Sequence, residues 1–351
     1  MNDYEINDKR KKEDFKGITF SNYKKSKVKQ ELTISLYKSQ IETSNYWSCE
    51  LICSGHYIDL WDIIIIFASR YIHIGNPKLS IYLDMRFEVF KNLINKYIDN
   101  ELQIRNNKNI RELFAEIICV LCLSKKKHGF ENLIIKDKND YNIINLTDKL
   151  KAPNTNYAKI SFKDNDPKEL FIAINEFNYH ISQESLDCVK ATYWLEWIIQ
   201  YEAICKNQKF ILNCESREFI NVNDKFKNDI IWIVWDSLLN ISNKNKSINK
   251  IILSLLNLFT IKYTSSCKKK RKYLLYSAIY FLTEKINLEI KIIQNKNIIE
   301  NICSKINIIY KELKKNEIQP DTNYLFNGLE KSNLDKTIDK LDLMDKIVTI
   351  V

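Results

Sequence analysis

The chain has 351 residues, a net charge of +10 and an ordinary 45% of hydrophobic residues, but only 5 glycines and 4 prolines. Average usage would give roughly 25 and 18. Phosphate-cradling loops and tight hairpins need the positive φ that glycine supplies, so the shortage argues against a Rossmann enzyme, a P-loop ATPase or a β-sandwich. The length permits one large or two medium domains. The charge favours anionic partners without proving one.

In chain order, residues 1–30 carry nine Lys/Arg against five Asp/Glu and read as a flexible basic arm. A helical pattern starts at Glu31, with Leu32 and Leu36 on one face, and leads into Tyr46-Trp47. Residues 58–74 are a long apolar stretch that stops at Gly75-Asn76-Pro77. That punctuation predicts a buried helix rather than a strand. Amphipathic helices follow at 86–98 and 110–126, and the interval 128–168 is loop-rich. A second helical series occupies 171–174, 182–206, 229–242, 247–263, 269–286 and 297–315. Residues 316–332 read as a linker, and 333–348 as a short amphipathic helix carrying Leu334, Ile338, Leu341 and Val348.

The two series echo each other. Tyr46-Trp47 and Tyr193-Trp194 each sit mid-helix, each is followed by a Trp-bearing apolar helix (Trp61; Trp232 and Trp235), and each series has a later basic-led helix at Arg111 or Arg271. The expected fold is therefore all-α, with two tandem helical blocks at 31–150 and 151–315 that read as a divergent duplication. Residues 316–351 complete the chain as linker and C-terminal helix.

Motifs that would carry catalysis are missing from the sequence. There is no Walker A loop, no Gly-x-Gly-x-x-Gly and no His-Glu-x-x-His. Cys119 and Cys122 form one Cys-x-x-Cys inside an apolar helix, without the companion ligands of a zinc site, and read as core. His73 suits a helix end, and Asp59 and Asp62 flank Trp61 where a helix dipole favours acids. The six tryptophans read as core, with base stacking the minority alternative. No cofactor and no metal are expected. Nine cysteines and a start with no apolar signal core point to a reducing compartment, and no apolar run approaches the ~20 residues needed to span a bilayer.

The basic clusters give the one functional direction. Lys268, Lys269, Lys270, Arg271 and Lys272 lead an apolar helix, and Arg105, Lys108 and Arg111 lead its counterpart in the first series. Cations at a helix N-terminus oppose the macrodipole unless an anion sits there. Phosphate would suit both, so these eight residues are the candidate nucleic-acid contacts, with DNA favoured.

Residues 35–77 resemble the C-terminal helical region of replication-associated recombination protein A, a clamp-loader-like AAA+ ATPase, and its phage relatives. The resemblance rests on Leu36 to Gln40, Asn45-Tyr46-Trp47, Leu60-Trp61 and the ending Phe67-Ala68-Ser69-Arg70-Tyr71-Ile72-His73-Ile74-Gly75-Asn76-Pro77. The family's paired arginine is replaced by Asp62-Ile63, its Glu-Asp by Arg70-Tyr71, and the ATPase module is absent. The resemblance implies a collar-like, oligomer-forming helical domain without ATPase activity. The whole chain also resembles uncharacterised proteins of giant DNA viruses (the nucleocytoplasmic large DNA viruses), including the stretch from Ile309 to Asn316 and that from Asp321 to Asn327. Together these imply a non-enzymatic accessory protein of viral DNA replication or repair that contacts nucleic-acid phosphate and holds a protein partner or a further copy of itself, with no membrane partner. Its place would be the host cytoplasm or viral factory, or the nucleus, and not outside the cell. The competing expectation is a virion or assembly-scaffold protein.

Overall fold

Asparagine, abundant in this chain, starts many of its helices. The side chains of Asn100, Asn107, Asn245 and Asn295, and of Asp187, each accept a hydrogen bond from a backbone N–H two or three residues on. Each satisfies a donor that the first helical turn would otherwise leave open. The computed structural model describes residues 3–97, 100–131, 133, 135, 141 and 143–318. The C-terminal helix expected at 333–348 lies outside the described residues, as does nearly all of the linker before it.

The described fold is all-α. Helices α1 (Lys25–Tyr37), α2 (Ile41–Cys53), α3 (Tyr57–Phe67), α4 (Leu79–Asn95), α5 (Glu101–Asn106) and α6 (Lys108–Leu123) form the first series. Helices α7 (Phe171–Ile181), α8 (Cys188–Asn207), α9 (Ile231–Ser242), α10 (Lys246–Thr260), α11 (Cys267–Thr283) and α12 (Lys296–Lys314) form the second. Among the described residues there is no strand, only an isolated bridge between Ile18 and Lys24. The expected helix over 58–74 is shorter than its apolar run. It ends at Phe67, loosens into a π-turn over Ala68–Ile72 and tightens into a 3-10 turn at His73–Gly75.

Three expectations about organisation are corrected. Residues 3–24 are not a loose arm: Ile6, Phe15 and Phe20 are fully buried. Arg10 pairs with Asp8 at 2.6 Å, and the Lys9 N–H donates to the Ile318 carbonyl. Lysines dominate the count in this segment, but three well-spaced apolar anchors decide its fate. The blocks 31–150 and 151–315 do not hold separate cores. One apolar cluster runs through both, α4 lies against α10, and α11 lies against α3. Finally, α12 does not close the second series. It packs on α6 and α2 of the first, with Ile299, Ile306, Tyr310 and Leu313 inward.

Candidate interaction site

The helical period sorts the cationic run that leads α11. Residues 268, 271 and 272 share a face, while 269 and 270 point away from it. Lys268 is buried and reaches Asp229 at 2.6 Å and also Glu202. Lys272 reaches Glu196 at 2.6 Å. Burial holds the Glu202 carboxyl above its usual range, with Asp229 adding to the rise and Lys268 opposing it. Arg271 is 1% exposed; its guanidinium meets Asp62 at 2.6 Å and donates to the carbonyls of Phe259 and Ile261. Only Lys269 and Lys270 stay exposed.

The counterpart in the first series behaves alike. Arg111, 1% exposed, donates to the carbonyls of Arg105 and Tyr4 and to Asn106 Oδ1, and lies 3.8 Å from the centre of the Tyr310 ring. Arg105 is equally buried, donates to the Arg10 carbonyl and faces Glu101 at 3.4 Å. Lys108 is exposed and 3.7 Å from Glu112.

The two buried arginines of the basic-led helices thus do one job. Each satisfies carbonyls at or just beyond the C-terminal end of the preceding helix: α5 for Arg111, α10 for Arg271. A helix C-terminus leaves carbonyls open and carries negative partial charge, and a guanidinium offers five donors. The anion expected at these helix entrances is the end of the helix before. Arg105, Arg111, Lys268, Arg271 and Lys272 are therefore corrected from phosphate contacts to internal ties, and Lys108, Lys269 and Lys270 remain on the surface. Asp62 and Asp59 are also more than dipole partners. Asp62 holds Arg271, and Asp59 holds Lys25 at 3.0 Å and Lys29 at 2.6 Å.

A different feature faces solvent. Five of the six tryptophans (61, 194, 197, 232 and 235) are at most 1% exposed, whereas Trp47 is only partly buried. It sits in a groove between α2 and α12 with a volume of about 460 Å³. Tyr46 and Trp47 form one wall, and Ile302, Ile306, Ile308 and Ile309 the other. The rings of Tyr23 and Tyr46 pack edge-on against Trp47 at 5.6 and 5.1 Å. Ile308 is 63% exposed at the groove, and Glu42 and Lys305 supply one charge of each sign. Buried Glu50, one turn beyond Tyr46, accepts the Ser21 N–H at 3.1 Å and ties the N-terminal segment beneath this wall.

The groove arises because α12 carries two apolar stripes. One is spent on α6; the other, with Ile302 and Ile309 partly buried and Ile308 outward, has no helix over it among the described residues. Sequence reading found Tyr46-Trp47 but grouped it with the core tryptophans. The surplus of isoleucines outside the buried stripe of α12 was the signal for the second wall.

Cys119 and Cys122 are buried, as expected of core residues, and burial pushes the Cys119 thiol up to about 12. No group of three or more metal-ligating side chains occurs among the described residues. None of the described helices is long and apolar enough to cross a membrane. Fold and site together define a helical protein with an open apolar groove between its second and last described helices. Comparison of the chain with protein-family models, with curated proteins and with solved structures finds no match.

Proposed function

We propose that this chain is a non-enzymatic helical accessory protein that takes an amphipathic helix of a protein partner into the α2–α12 groove. The observation that carries the reading is the pairing of a partly exposed Trp47 with a row of isoleucines across an open groove. Aromatic residues in well-packed pockets dominate interface energetics, and an apolar groove between helices is how proteins take up an amphipathic helix. The near-neutral rim, with Glu42 and Lys305, suits an apolar stripe better than a polyanion. The wider role proposed is viral DNA replication or repair, the setting implied by the resemblance of residues 35–77 together with that of the whole chain to giant DNA virus proteins. DNA phosphate would then fall to exposed lysines such as Lys108, Lys269 and Lys270 rather than to the buried five.

Affinity purification from cells producing the wild-type chain, beside Trp47→Ala and Ile308→Asp variants, tests the groove. A partner retained by the wild type and lost from both variants, with unchanged circular dichroism, is the expected result. Equal recovery from all three would overturn the reading. The DNA component is checked by anisotropy at 50 and 200 mM salt, where a phosphate binder weakens steeply.

A further inference from the structure

A small cavity lies where the π-turn and 3-10 turn after α3 meet α10 and α11. It offers about 20 Å³ to the centre of a water-sized sphere, and every residue lining it is buried. Its walls are mostly apolar, with Leu79, Leu83, Leu255 and Leu258 among them, but His73 and Asn76 also line it. These two side chains, 7% and 1% exposed, each hold a buried atom with no hydrogen-bond partner: His73 Nδ1 and Asn76 Oδ1.

Both orphans are acceptors. His73 Nε2 lies 3.0 Å from the His128 carbonyl oxygen, which can only accept, so Nε2 carries the proton. Burial keeps the ring neutral by holding its pKa below the usual histidine range. Nδ1 is then a bare lone pair. Asn76 Nδ2 lies 3.0 Å from the Ile292 carbonyl and 3.1 Å from Ser124 Oγ, which fixes the amide orientation and leaves Oδ1 accepting. A buried acceptor left unmatched costs about 1–3 kcal/mol. Two at one cavity ask for a ligand with two donors.

We infer that this cavity binds a single structural water, which donates one hydrogen bond to His73 Nδ1 and the other to Asn76 Oδ1. The space exceeds the roughly 10–15 Å³ that one water needs, and two polar partners meet the minimum for holding it. The turn at this site also retains backbone strain. His73 has φ +29° and ψ −110°, a conformation costly for any residue but glycine. Its ring is held from one side by the His128 carbonyl and by stacking on Phe130 at 4.5 Å. The water holds the other nitrogen. Because Leu255, Leu258, Leu274 and Phe281 of α10 and α11 close the same cavity, the water belongs to the seam between the two helical series.

A high-resolution crystal structure of the full chain, with a second crystal under xenon pressure, tests this. One peak within about 2.7–3.2 Å of both His73 Nδ1 and Asn76 Oδ1, and no xenon, is expected. An empty cavity, xenon in it, or a peak at metal-ligand distances would each overturn the inference. In solution, water-proton relaxation dispersion should report a long-lived water in the wild type that is absent from a folded His73→Phe variant. An unchanged dispersion profile in that folded variant would also overturn it. The wild-type crystals decide the matter without the variant.

Discussion

Arg271 and Lys270 are neighbours in a run of five cations, yet they do unrelated work. Arg271 is enclosed by Asp62 and two carbonyls, whereas Lys270 is exposed. Removing one member of a buried pair strands the other, so Arg271→Met should cost about 3–5 kcal/mol. Lys270→Gln should stay within about 0.5 kcal/mol. Urea denaturation of the two variants checks this. Similar small losses would mean that Arg271 is solvated in the folded protein. At this scale the sequence showed that cations lead α6 and α11. It did not show their partners, because Asp62 is 209 residues from Arg271 and Glu196 is 76 from Lys272. The assumption that cations at a helix entrance await a phosphate overlooked the nearer negative pole, the end of the helix before.

Between elements, the turn after α3 holds the closest backbone approach among the described glycines. A Cβ on Gly75 would lie 2.2 Å from the Lys125 carbonyl oxygen, and that atom is backbone. The segment after α6 is pinned there by the Lys127 N–H donating to the Tyr71 carbonyl at 2.7 Å. Gly75→Ala must therefore move backbone, and should destabilise by roughly 1–3 kcal/mol or more. Gly17 has φ +84° but open space around its missing side chain, so Gly17→Ala should cost only the ~1–2 kcal/mol of a left-handed conformation. Thermal melts of both would show the larger drop for Gly75→Ala; the reverse order would mean that the close approach is absent. Gly75-Asn76-Pro77 was legible as a stop signal. That the stop passes through a π-turn, and that Asn76 reaches the Ile292 carbonyl, was not, because neither follows from local propensity.

For the whole molecule, the question is whether two helical series make two folding units. Arg271 ties α11 to Asp62 of α3, Ser254 of α10 bonds Ser80 of α4 at 2.8 Å, and α12 returns to cover α6. A fragment ending at residue 150 would expose the faces that α10, α11 and α12 cover. It is expected to bind apolar dyes and lack a cooperative calorimetric transition, while the full chain melts in one. A sharp independent transition in the fragment would restore the picture of separate blocks. Each series carries a carbonyl-capping arginine, and one apolar core runs through both.

Composition and periodicity alone determined that this chain is helical, where most helices lie, and that Cys119, Cys122 and most of its tryptophans are core. These follow from short-range rules: apolar spacing, glycine and proline punctuation and the scarcity of glycine. The tertiary structure decided what those rules cannot reach. It buried five of the eight candidate phosphate contacts, packed the N-terminal segment, carried α12 back to the first series and left Trp47 at the surface. The physical reason is the same in each case. A side chain's role depends on whether a distant partner arrives to satisfy its charge or cover its apolar face, and the pattern around the residue does not say which partner that will be.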